Sequence, residues 1–181
     1  MIEIRSYTWL SWLHIAAAVL AMVLGLLVLM RRKGTRSHRQ LGYGYVASMT
    51  LLNLSAFGMY RLFGVFGPFH IAAVVSTLTL AAGMRAVLKR PRTQRTTELH
   101  LVFMYWSVIG LYAAFFSELM VRVRVNAAFL ILVSCATGGT VLLGALMQRR
   151  LITKWVAELA PADHASPRPP EERSSISATG P

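Results

Sequence analysis

Residues 9–30 read WLSWLHIAAAVLAMVLGLLVLM and are followed at once by the basic run 31–33. A helix needs about 20 consecutive apolar residues to cross the hydrocarbon core of a bilayer, and this stretch is long enough. The segment before it carries only Arg5, offset by Glu3, and no small-residue cleavage site follows, so the stretch is not typical of a cleaved signal peptide. It predicts a first transmembrane helix that ends in positive charge.

Four further apolar blocks follow the first one, and each is long enough to span. Small and hydroxyl residues within them are typical of membrane helices that pack closely. The sequence therefore predicts an all-α, polytopic transmembrane helix bundle (residues 9–147) of about five spans, at 9–30, 41–63, 69–88, 99–121 and 127–147.

The flanking segments differ in composition from the bundle. Residues 1–8 form a short N-terminal segment, and residues 148–160 are expected to extend the fifth helix along the membrane interface. Residues 161–181 are rich in Pro, Ser, Glu and Arg, which predicts a disordered tail because such a segment buries too little apolar surface to fold.

The composition excludes most soluble functions. Hydrophobic residues make up 55% of the chain and charged residues 14%, against about 25% charged residues in soluble domains. The net charge of +12 does not indicate nucleic-acid binding, since the Lys and Arg residues lie between the apolar blocks. The expected partners of these cations are anionic membrane lipids.

The distribution of the basic residues predicts an orientation. Fifteen Lys and Arg residues lie in segments 31–40 and 85–95 and after the fifth block, and four lie on the opposite side. Because basic loops stay in the cytoplasm, the N-terminus is expected outside and the C-terminus inside.

Four histidines lie near the ends of predicted spans. His14 and His70 are at the outer ends of helices 1 and 3, whereas His38 and His100 are at the inner ends of helices 2 and 4. In an up-down bundle these are diagonal helices, and bundle cores often hold cofactors. The pairs His14/His70 and His38/His100 are therefore candidate axial ligands of two haem b groups, with iron bound only through haem. The two groups would lie about 20 Å apart, from the rise per residue of a helix.

Other interpretations of these residues stay open. One pair alone could form a single metal or haem site. The histidines could instead serve a quinone or proton-handling site, or have only structural roles. Glu118, near the outer end of helix 4, is a candidate for proton handling beside the outer pair. The alternative is a purely structural role for Glu118, as an ion pair with Arg122 four residues later.

A series of short motifs along the chain matches a known pattern. It begins with Lys33-Gly34-Thr35, His38-Arg39, Gly42, Tyr45 and Met49, continues with Gly67-Pro68-Phe69-His70, and ends with His100, Met104, Ala113, Ala114 and Arg122. These motifs resemble the signature of a bacterial family of predicted multi-pass membrane proteins, known as domain of unknown function twenty-three-oh-six. The resemblance implies a membrane fold in the bacterial inner membrane and supplies no activity.

A more distant likeness concerns architecture alone. The histidine pairs on alternate helices are similar to those of two-haem transmembrane cytochromes b, which implies a di-haem carrier that moves electrons across the membrane. One alternative is a non-catalytic assembly factor or accessory subunit of a membrane complex, with a membrane-protein partner or a homo-oligomer. Another is a small transporter. Whether the protein is an enzyme is left open by the sequence.

Overall fold

The computed structural model describes residues 9–59, 67–91, 93–122 and 129–159. These residues form helices and short connections, without a strand, which confirms the all-α class. The helices are α1 (Trp9–Met30), α2 (Arg36–Phe57), α3 (Pro68–Leu88), α4 (Gln94–Arg122) and α5 (Phe129–Leu159).

Some helix limits differ from the predicted spans. The helix α2 begins at Arg36 rather than at Leu41, because the Thr35 side chain accepts a hydrogen bond from the His38 backbone N–H and caps the helix there. The helix α5 continues without a break through the predicted interfacial extension. The predicted N-terminal segment and the predicted disordered tail lie outside the described residues.

The first four helices form a ring. Each contacts the next, and α4 also contacts α1, which closes the ring; α5 packs along the outside of α4. Within the described parts of the chain, the backbones of α1 and α3 do not approach each other, and neither do those of α2 and α4. These two pairs are therefore diagonal, as the up-down bundle requires.

The centre of the ring is filled by one aromatic side chain and its small neighbours. Tyr45 on α2 is fully buried, and a Cβ added at Gly25 on α1 would lie 3.0 Å from its ring. The Tyr45 hydroxyl lies 2.9 Å from the Ser107 hydroxyl on α4, which itself donates to the Met104 carbonyl. Tyr45 is therefore the donor to Ser107, and this bond joins the diagonal helices α2 and α4 across the core.

Three helices have the length and apolar character needed to cross a membrane among the described residues: Trp9–Met30, Phe69–Leu88 and Gln94–Leu119. They are consistent with an integral membrane protein. The count of five spans and the orientation of the termini stay predictions.

Candidate functional site: histidines at the two ends of the bundle

The bundle has two ends of different character. We call the basic end the one where α1 and α3 end and α2 and α4 begin, and the far end the one where α1 and α3 begin and α2 ends. The basic end holds His38 and His100, and the far end holds His14 and His70.

Lys33 organises the basic end. It is only 6% exposed, and its ammonium group donates to the carbonyls of Val28 and Leu29, both at 2.9 Å, and to that of Arg31 at 3.3 Å. The last carbonyls of a helix have no partner within the helix, so Lys33 caps α1. Its nitrogen also lies 4.0 Å from the centre of the Trp155 ring on α5, a cation–π contact. Lys33 thereby joins the end of α1 to α5.

Lys33 remains a cation in this setting. Burial lowers the pKa of its ammonium group to about 8, and the nearby Glu158 carboxylate opposes that decrease. A pKa near 8 leaves the group mostly protonated at neutral pH. The positive charge of Lys33 is therefore present beside His38, the next histidine along the chain.

The connection between α1 and α2 positions His38. Gly34 has a φ of +81°, in the left-handed region that favours glycine. Thr35 then donates its hydroxyl hydrogen to the Arg32 carbonyl at 3.0 Å and accepts from the His38 backbone at 3.1 Å. His38 consequently lies in the first turn of α2, whereas the predicted second span begins only at residue 41.

The His38 ring is half-buried and neutral. A ring N–H donates to the Val28 carbonyl, the same oxygen that Lys33 contacts. Nδ1 is buried without a hydrogen-bond partner among the described residues, so the donor is Nε2. Burial, followed by the charges of Lys33 and His100, lowers the pKa of His38 to about 4, while the Val28 bond opposes that decrease. At neutral pH the ring therefore carries its lone pair on Nδ1.

His100 lies close enough to His38 for its charge to influence that pKa, although α2 and α4 are diagonal. Its Nδ1 is 2.8 Å from the Gly83 carbonyl on α3. Because a carbonyl only accepts, Nδ1 must carry the hydrogen, and the lone pair of the neutral ring is on Nε2. The two rings of the predicted inner pair thus interact electrostatically, and each is bound to a backbone carbonyl.

The histidines of the far end contact different neighbours. His14 Nδ1 lies 2.9 Å from the Ser55 hydroxyl on α2. Ser55 donates its own hydrogen to the Leu52 carbonyl, so His14 is the donor. His70 is 4% exposed, and its Nδ1 accepts the Gly67 backbone N–H at 3.2 Å, which caps the start of α3. The neutral His70 ring therefore carries its hydrogen on Nε2.

Glu118 is half-buried on α4, toward the far end. The side chain of Arg122, the ion-pair partner considered for it, lies outside the described residues. Its role in proton handling stays a prediction.

No group of three or more His, Cys, Asp or Glu side chains suited to a metal ion occurs within the described residues.

Sequence reasoning missed the contributions of Lys33 and Trp155. In the sequence, Lys33 is one of the basic residues that predict the orientation and part of the motif Lys33-Gly34-Thr35, and Trp155 has no motif of its own. The available signal was the triplet Lys33-Gly34-Thr35, since a glycine followed by an N-cap residue is typical of a tight connection between two helices.

Comparisons with known proteins give a family but no activity. The model of a family described as "Predicted membrane protein (DUF2306)" matches residues 11–156. That range includes both histidine pairs and the contact between Lys33 and Trp155. No curated protein and no solved structure matches the chain.

Proposed function

The chain belongs to the DUF2306 family of predicted membrane proteins, and from that premise we propose that it is a membrane electron carrier with a haem held between His38 and His100. The observation that carries the proposal is the electrostatic interaction of these two rings at the basic end, where each is held by a hydrogen bond to a backbone carbonyl. They come from diagonal helices whose backbones do not contact each other, yet their charges interact across the bundle. A pair of axial ligands requires two side chains that approach from opposite sides.

The hydrogen bonds of the two rings support this role. An imidazole that binds a metal almost always donates its other ring N–H to a carboxylate, a carbonyl or water, which holds its tautomer and orientation. His100 donates to Gly83 and His38 donates to Val28, both backbone carbonyls. The hydrogen of each neutral ring is thus on the nitrogen that donates, and Nδ1 of His38 has no hydrogen-bond partner among the described residues. The low pKa of His38 keeps that nitrogen unprotonated at neutral pH.

The space beside His38 is compatible with a flat group. Gly42 lies one turn along α2 from His38, on the same face of the helix. A Cβ added at Gly42 would meet no heavy atom within 4 Å. That face of α2 is therefore open next to the ring.

A haem bound here would supply one-electron chemistry between ferrous and ferric iron. The residues around the pair would adjust that chemistry by charge. Lys33 holds a positive charge beside His38, and a nearby cation favours the state with the smaller positive charge. Lys33 is thus expected to raise the reduction potential.

We propose one haem per chain rather than two. At the far end, His70 Nδ1 accepts the Gly67 N–H, so the hydrogen of the neutral ring is on Nε2. Binding iron through the Nδ1 lone pair of His70 would require the loss of that cap, whereas Nδ1 of His38 has no hydrogen-bond partner among the described residues. The His14/His70 pair therefore differs from the pair at the basic end because the lone pair of His70 already accepts the hydrogen bond that caps α3.

The test is the absorbance spectrum of the detergent-purified protein, expressed with haem precursor and recorded oxidised and then dithionite-reduced. We expect a Soret band and sharp reduced α and β bands, with one haem per chain. His38→Ala and His100→Ala should each abolish the bands. The matched controls His14→Ala and His70→Ala should retain them.

Three results would contradict the proposal. A folded, colourless protein with haem available would exclude it and favour the accessory-subunit hypothesis. Loss of the bands in His70→Ala but not in His38→Ala would move the site to the far end. Two haems per chain, one lost with each pair, would restore the two-haem hypothesis.

One observation favours a second candidate, a transition-metal ion at the same pair. The lone pair of His38 is on Nδ1, which is flanked by the side chain's own Cβ, and this nitrogen accommodates an ion more readily than a macrocycle. Both imidazole nitrogens serve as metal ligands in proteins. Elemental analysis of the same variants distinguishes the two, since this candidate predicts a bound metal that is lost in His38→Ala and no Soret band.

A further inference from the structure

A groove opens at the basic end between the last turns of α1 and the final third of α5. It has a volume of about 610 Å³. Its walls are apolar and are formed by Leu26 and Met30 on one side and by Met147 and Leu151 on the other. The groove is separate from the histidine pair and does not depend on the function proposed above.

The two helices that form the groove do not touch along their backbones. Both α1 and α5 pack against α4, but no backbone contact joins α1 to α5 in the described ranges. Their connection is made by side chains at the basic end, where Lys33 contacts the Trp155 ring. The apolar walls beyond this contact leave a gap that opens toward the surroundings, where lipid chains lie in a membrane.

The rim of the groove is basic. Arg31, Arg32 and Lys154 line it and are exposed, and Glu158 is the one carboxylate in the lining. The cations outnumber the carboxylate by three to one, so the rim attracts an anion. The cations lie next to the apolar walls, just as the phosphate of a phospholipid lies next to its acyl chains.

The end of a helix normally repels an anion, because its carbonyls carry partial negative charge. At the end of α1 this repulsion is reduced, since Lys33 donates to the Val28 and Leu29 carbonyls. The cap therefore weakens the helix-end field that would oppose binding of an anion at Arg31 and Arg32. Lys33 itself is buried beneath the rim and is not needed as a contact.

We propose that this groove binds one anionic phospholipid. Its phosphate would lie among Arg31, Arg32 and Lys154, and its acyl chains would lie along the apolar walls. Basic pockets between membrane helices bind anionic lipid headgroups by the same chemistry. A zwitterionic lipid has no net charge to pair with the rim, so the site should prefer phosphatidylglycerol to phosphatidylcholine.

The experiment is native mass spectrometry of the full-length protein in neutral detergent, titrated with phosphatidylglycerol or phosphatidylcholine. The wild type should retain one phosphatidylglycerol preferentially. The triple variant Arg31→Gln/Arg32→Gln/Lys154→Gln should bind phosphatidylglycerol at least about tenfold more weakly, since each cation near a headgroup contributes to its attraction. The matched control Arg36→Gln/Arg39→Gln/Lys89→Gln removes three exposed cations from the same end, outside the groove, and should bind as the wild type does.

A second variant tests the apolar part of the site without a change in charge. Leu26→Trp places a large side chain in the groove at a residue that is 49% exposed, so the helix should tolerate it. It should weaken lipid retention while the melting temperature without added lipid stays near that of the wild type.

The following results would overturn the proposal. Equal retention of the two lipids would show that the rim does not select an anion. Equal loss in the two triple variants would show attraction by overall charge only. Displacement of the lipid by millimolar inorganic phosphate, with Leu26→Trp binding normally, would show a site for free phosphate and not for a lipid.

Discussion

The basic end and the far end of the bundle both place histidines on diagonal helices, but they use them differently. At the basic end, His38 and His100 both donate to backbone carbonyls and interact with each other. At the far end, His14 donates to a serine of the adjacent helix, and His70 accepts a backbone N–H at the start of its own helix. Position on a diagonal helix therefore does not fix the environment of a histidine: the Nδ1 lone pair of His70 is used to cap α3, whereas that of His38 has no hydrogen-bond partner among the described residues.

The two ends also differ in the contacts that stabilise them. The substitution with the largest expected effect on the free energy of unfolding tests this difference. Lys33→Met removes three hydrogen bonds to carbonyls and the contact with Trp155. We expect the free energy of unfolding to fall by about 3 kcal/mol, from typical values for charged hydrogen bonds and cation–π contacts. Denaturant unfolding in detergent, followed by circular dichroism, measures it.

The control for Lys33→Met is Lys89→Met. Lys89 is an exposed lysine at the same end, just after α3. Its replacement should change the unfolding free energy by about 0.5 kcal/mol or less, as surface changes usually do. Equal effects of the two substitutions would mean that Lys33 does not hold α1 to α5.

Acid should weaken the protein through His38. Its pKa is about 4 in the folded protein and 6.5 in the unfolded chain, so the unfolded chain binds the proton more readily. The contribution of neutral His38 is therefore present above pH 6.5 and is lost as the pH falls toward 4. The expected loss is about 1–2 kcal/mol, reduced from the full linkage value because the ring is partly exposed.

The measurement for this prediction is unfolding at pH 7 and at pH 4.5 in the wild type and in His38→Gln. The variant should lose part of the pH dependence. A wild type and a variant with identical pH profiles would show that His38 is not the titrating group.

The cap that positions His38 should have an intermediate effect. Thr35→Ala removes the acceptor of the His38 N–H and should lower the unfolding free energy by about 1 kcal/mol. Because the same bond begins α2, haem occupancy should also fall if the proposed function is right. Thr35→Ser keeps the hydroxyl and should restore both, and a variant that restores neither would argue against the cap.

The smallest expected effect is at the far end. Ser55→Ala removes the acceptor of His14 and should cost about 0.6 kcal/mol, the average for hydrogen bonds between membrane helices. A double-mutant cycle with His14→Gln isolates the pair. A coupling energy of several kcal/mol between His14 and Ser55 would show that contacts at the far end stabilise the protein as much as those at the basic end.

Much of the fold could be predicted from the sequence. The apolar blocks indicated the helices, and the limits of α1 follow from an apolar run that ends in charge. The start of α2 was harder, since residues 36–40 are polar and only the Thr35 cap reveals that the helix begins there. Hydropathy measures transfer into lipid and carries no information on helix caps.

The candidate site could be predicted only in part. Residue spacing and alternation of direction place the four histidines at two depths on diagonal helices. They do not show that Lys33 turns back onto the carbonyls of α1, because side-chain hydrogen bonds leave no mark in hydropathy. Nor do they show that Lys33 contacts the Trp155 ring, because these two residues are more than a hundred positions apart.

By itself, the amino-acid sequence determined the class of this protein, because burial of apolar side chains and exclusion of charge from lipid are properties of composition and order. It also placed the histidines near the helix ends. The tertiary structure alone decided which ring nitrogen carries a hydrogen, which cation is buried, and where α1 and α5 leave a groove. Each of these depends on hydrogen-bond geometry or on packing between helices, and both are set only once the helices have formed and assembled.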